Sequence, residues 1–261
     1  MSSINDVQRS YLLLRPLRKS NLGSASEDVR IILIPKKQLP STGTHDRFLG
    51  FIGASEEHIK DLKNDIGENT YNTATRGERT QGAARPVAEG VYAIVGDPDG
   101  RTTHFAYLLT LPSHATEVQK EFGLRDKGSF VMSTRNPAAP PPPQTRGLQS
   151  AEYPETYIST YSPSIAWTPD VRSDDRIKNQ FRGRRWMNLL PEHLDYQFTQ
   201  ILLIGEKSAI AGDEQVLDEL EKLEDEDEAR VKHLQGDETV YKDLELSKEE
   251  FLPGALHGEL E

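Results

Sequence analysis

Apolar residues in this chain come in short runs cut by proline, glycine and polar clusters, a spacing that suits strands better than long helices. Tyr11-Leu12-Leu13-Leu14 stops at Arg15-Pro16, and Val29 to Ile34 stops at Pro35. Both runs predict strands, joined by the loop Ser20-Asn21-Leu22-Gly23-Ser24. The second is rich in β-branched residues, a composition compatible with a strand buried on both faces. Ser55 as N-cap, followed by Glu56 and Glu57, predicts a helix start. Ile59, Leu62 and Ile66 on one face then predict about three turns, with Gly67 as the stop. Val91 to Val95 and Thr103 to Leu109 flank Asp97-Pro98-Asp99-Gly100. Pro presets φ there and Gly supplies a positive φ, which predicts a β-hairpin. Ser113 is the expected cap of a short helix carrying Val118 and Phe122 and ending at Gly123, before a strand from Ser129 to Ser133.

At Asn136 the pattern changes. Five of the 16 prolines fall between Pro137 and Pro143, which predicts an extended, exposed linker or loop over 137–150. Beyond it, Ser173-Asp174-Asp175 starts a predicted helix through Ile177 and Phe181 to Gly183, and Phe198 to Ile204 reads as a strand. Gln119 to Gly123 and Asn179 to Gly183 echo each other as helix, glycine, strand, so both segments are expected in one sheet. From Asp213, Val216, Leu217, Leu220 and Leu223 form a helical stripe that the run Glu224-Asp225-Glu226-Asp227-Glu228 interrupts. Such an element is expected to pack through its first turns only. Together these readings predict an α+β fold: a single domain over residues 1–206 with a mixed, largely antiparallel sheet and short helices. An acidic, partly helical or flexible tail over 207–261 follows.

Composition narrows the class. The 261 residues carry a net charge of −11 and no cysteine, which excludes disulfides, a thiol nucleophile and thiolate metal sites. The N-terminal residues lack a signal-peptide layout and no window approaches a membrane span, so an intracellular protein, cytoplasmic or nuclear, with no membrane partner is expected. The charge is uneven: residues 206–261 hold 19 acids and 6 bases, a net of −13, leaving residues 1–205 at +2. A near-neutral body with local arginine clusters can bind anions that the whole-chain charge would repel.

Two stretches carry the candidate binding chemistry. Thr75 to Pro86 places Arg76, Arg79 and Arg85 among two glycines with no clear period. Forked guanidiniums beside open backbone amides suit a phosphate or carboxylate, although the same arginines could pair with Glu78 and Glu89 in a structured loop. Arg182-Gly183-Arg184-Arg185-Trp186 sets three arginines beside a stacking ring. That combination suits an anionic strand or a solvated helix end, and with no recognition motif beside it nucleic acid is not the expected partner. Leu202 to Ser208 ends in Gly-Glu-Lys-Ser and lacks the spacing of a phosphate-binding loop. Glu192-His193 with Asp195 could supply a general base, but beside Pro191 the trio reads more readily as a turn. The seven histidines show no metal-ligand spacing. Neither a cofactor, a metal nor a catalytic set is expected.

Six stretches carry a family likeness: Thr75 to Arg79, Ala84-Arg85-Pro86, Glu89 to Ala93, Glu117-Val118-Gln119, Gly128 to Val131 with Asn136-Pro137, and Leu194-Asp195-Tyr196 to Gly205. Over residues 5–206 the chain resembles an uncharacterised family common in filamentous fungi, whose members are sometimes labelled BTB-domain transcription factors. The resemblance implies an α+β domain with no established activity. The residues show neither the helix-rich layout of a BTB fold nor a zinc cluster or basic zipper. Two functions are therefore expected: a non-catalytic module that binds a protein partner, or a domain or enzyme that takes a small anionic ligand through Arg76, Arg79 and Arg85.

Overall fold

Strand pairing begins with neighbours in sequence. The computed structural model describes residues 4, 7–16, 28–36, 38–40, 46–56, 59–74, 77–96, 102–140, 149, 151, 181 and 184–205. β1 (Ser10–Leu14) pairs antiparallel with β2 (Val29–Ile34), and β2 with β3 (Arg47–Glu56). β6 (Glu89–Gly96) and β7 (Thr103–Leu111) form the predicted hairpin, and β7 pairs with β8 (Lys127–Arg135). The two three-stranded blocks are joined by the last strand, β10 (Gln200–Gly205), which lies between β3 and β8 and pairs antiparallel with both. The order is β1-β2-β3-β10-β8-β7-β6, and the short β9 (Trp186–Asn188) pairs with β8 beyond the start of β7. Every strand pair among the described residues is antiparallel, so no mixed sheet is seen there.

Period-two alternation gives this sheet a dry inner face. Ile32 and Ile34, Phe105, Tyr107 and Leu109, Phe130 and Met132, and Ile201 and Leu203 meet in one buried cluster. Leu12 of β1 and Tyr92 and Ile94 of β6 pack on the same cluster from opposite ends of the strand order, so the sheet is curled. Tyr92, Phe105, Phe130 and Tyr107 stack in series with centroids 5.6 to 6.5 Å apart. On the outer face, Val29, Ile31 and Ala54 are covered by Leu62 and Ile66, with Ala83 and Ala84 beside them.

Helices are few and short, so the domain is sheet-dominated. The predicted three-turn helix is a 3-10 turn, Ile59–Leu62, running into α1 (Lys63–Ile66). Ser55 does not cap it: that residue lies in β3, paired with Arg30. α2 (Glu117–Glu121) starts at Thr116 rather than Ser113, because Gln119 Oε1 accepts from both the Thr116 N–H, at 3.1 Å, and its hydroxyl. Gly123 follows α2 at φ 78°, where a Cβ would sit 2.9 Å from the Leu39 carbonyl oxygen. The stretch from Thr75 is not all loop. β5 (Gly77–Gln81) pairs with β4 (Asn69–Thr73) in a separate, largely exposed two-stranded ribbon. The hairpin turn Asp97–Gly100, most of the proline-rich stretch, the helix predicted before Gly183 apart from Phe181, and the tail lie outside the described residues.

Candidate anion-binding site

The site is built where β8 ends. Alternation sends Phe130, Met132 and Thr134 inward and Arg135 outward, yet Arg135 is only 6% exposed. One Nη donates 2.6 Å to the Ala139 carbonyl, and the other lies 3.5 Å from Gln200 Oε1. Both acceptors are neutral, and no carboxylate among the described residues meets this guanidinium. Within the described residues, two of its five N–H groups are thus used and no opposite charge meets it. Burial, with the nearby charge of Arg185, pulls its pKa below the ordinary arginine value, though the group stays protonated.

Asn136 fastens the second arginine stretch to this point. Its backbone N–H donates 2.9 Å to the Arg185 carbonyl and its side-chain amide 3.1 Å to the Arg184 carbonyl. Its Oδ1 accepts from the Ala138 N–H, turning the chain so that Ala139 reaches Arg135. β9 then places Trp186 directly opposite Arg135 on β8. Arg184 and Arg185 are exposed and Trp186 half-buried. Three arginines and a tryptophan therefore adjoin at one corner of the sheet, with the Arg135 side chain buried. That corner can take a carboxylate or phosphate by forked, charge-assisted hydrogen bonds.

The first arginine stretch is divided. Arg79 lies on the exposed ribbon, opposite Tyr71. Arg85 is half-buried in the segment that packs on the body, where the Ala84 N–H donates 2.7 Å to the Ile66 carbonyl. Arg76 and Arg182 lie outside the described residues. Of the predicted residues, Arg184, Arg185 and Trp186 are together, and Arg135, Asn136 and Gln200 are the additions that sequence reading lacked. Only the Asn-Pro step after a strand hinted at them, since Arg135 and Arg185 meet solely through β8–β9 pairing.

The acid and histidine pair near Pro191 serves the fold. Pro191–Asp195 is a 3-10 turn, in which His193 Nδ1 accepts the Leu190 N–H at 3.1 Å and the ring stacks on Phe181 at 5.7 Å. His193 is fully buried, and burial lowers its pKa to about 4, so it is neutral. Asp195 Oδ1 accepts from Arg30 Nε at 2.8 Å and Nη2 at 2.5 Å, pinning the turn to β2. Among the described residues no group of three histidine or acidic side chains is placed to hold a metal, and no helix is long and apolar enough to cross a membrane. No family model, curated relative or solved structure matches this chain.

Proposed function

We propose that this protein is a non-catalytic binding module that recognises an anionic group, a carboxylate or phosphate, at Arg135, Arg184, Arg185 and Trp186. The observation that carries the reading is Arg135: a buried guanidinium held by two neutral oxygens, with a second arginine close enough to repel it. Such an arrangement is costly in the free protein and is relieved when an anion supplies the missing charge. The Glu192-His193-Asp195 trio gives no support to catalysis, because His193 is sealed in the core and Asp195 is held by Arg30.

The test is a thermal-shift and calorimetric series at low salt with inorganic phosphate, citrate and a nucleoside diphosphate. An anion at about 100 times its Kd should add ~2.7 kcal/mol to stability. Arg135→Gln and Arg185→Gln should each weaken binding about tenfold or more, in line with a charge-assisted hydrogen bond worth ~1.5–3 kcal/mol. Binding of none of the three, or unchanged affinity in both variants, rejects the reading.

A further inference from the structure

The outward side of the central strands is unusually apolar. Leu33, Leu49, Phe51, Leu202, Ile204 and Val131 are all half-buried. The register makes them one continuous patch: Leu33 lies opposite Phe51, Leu49 opposite Leu202, and Ile204 opposite Val131. The outer face of an antiparallel sheet that meets water is ordinarily polar, and a contiguous apolar patch left partly uncovered is a place where a further segment can pack. Arg135 borders the patch at the Gln200 end, and Arg185 stands beside Arg135.

We propose that the occupant is this chain's own C-terminal segment, and that it competes with the anion. Residues 206–261 leave from Gly205, the end of β10, which is the middle strand of the patch. Five steps of strand, from Gly205 back to Gln200, span about 17 Å. The stripe Val216, Leu217, Leu220 and Leu223 belongs to a stretch, 213–223, whose pattern predicts a helix of about 16 Å. Folded back along β10, that stripe covers the apolar patch. The run Glu224-Asp225-Glu226-Asp227-Glu228, which follows directly, then arrives at the arginine corner. Charge agrees with length: a −13 segment leaves a +2 body beside its uncompensated guanidinium. The competition rests on the anion-site reading; the docking does not.

The chain has no cysteine, so introduced thiols report without background. Full-length protein carrying L202C with L220C is oxidised mildly at high dilution beside a control carrying L202C with D218C, whose tether is of similar length but which lies off the apolar stripe. Docking is upheld if the 202–220 bridge forms intramolecularly at least several-fold faster than the control. It is overturned if the two pairs react equally, as they would with the patch under residues 152–180, or if only intermolecular bridges form, as a second copy would give. A full-length variant with all five residues 224–228 changed to Gln or Asn is then titrated with inorganic phosphate at low salt. About tenfold tighter binding than the unaltered chain supports competition, and equal binding overturns it. If neither chain binds phosphate, both are titrated with citrate and a nucleoside diphosphate instead; if none binds, the anion-site reading fails, competition falls with it, and the bridge alone decides docking.

Discussion

Two buried arginines in this protein stand in opposite electrostatic situations. Arg30, 4% exposed, has Asp195 against it; Arg135, 6% exposed, meets neutral oxygens alone among the described residues. Arg30→Met removes the guanidinium that donates twice to the Asp195 carboxylate, and should cost about 3 kcal/mol in urea unfolding. Arg135→Met removes an uncompensated charge of similar depth, and should leave stability unchanged or raise it while abolishing anion binding. A purely structural Arg135 would show a loss instead. His193 gives a pH signature. Its folded pKa of about 4 lies below the unfolded value of 6.5. As pH falls from 6.5 toward 4, the unfolded chain gains a proton that the folded chain refuses. Stability from this group is therefore complete above pH 6.5 and declines below it, by on the order of 3 kcal/mol across the window. His193→Gln should flatten the stability profile between pH 7 and 4.5 by about one proton relative to the unaltered protein.

Elements differ in what makes them form, which decides how much of each could be read from the chain. The β6–β7 hairpin was legible because alternation and turn chemistry coincide there. Its bulge at Glu89 and Gly90 was not, because that depends on a partner strand. A Cβ on Gly90 would lie 2.0 Å from the Leu108 carbonyl oxygen, so Gly90→Ala should destabilise by about 3 kcal/mol. Gly96→Ala, with nothing within 4 Å, should change stability little. β3 escaped the pattern because apolar residues occupy both phases of it, Phe48 and Ile52 on one and Leu49 and Phe51 on the other, while Ser55-Glu56-Glu57 imitates a helix start. β5 escaped for the opposite reason: it buries almost nothing and exists through pairing with β4. The true start of α2 was readable, since Gln119 falls three residues after Thr116 as a capping box requires. The arginine corner was half legible: Arg184, Arg185 and Trp186 adjoin in sequence, whereas Arg135 joins them only through strand pairing.

At the scale of the molecule, strand order rather than strand content governs stability. β10 closes the sheet from far along the chain, pairing Leu203 with Phe48 on one side and Met132 on the other. A chain ending at residue 198 should keep two three-stranded blocks and lose the cooperative unfolding transition, as seen by circular dichroism and urea titration. Such long-range closure also predicts slow folding. In a cell the same arrangement imposes a timetable on synthesis. Until residues 200–205 emerge from the ribosome, β3 and β8 each present a bare hydrogen-bonding edge to every other nascent chain nearby. Because residues 206–261 follow and can occupy the exit tunnel, the closing strand can clear it and seal both edges while the protein remains tethered to the machine that is building it.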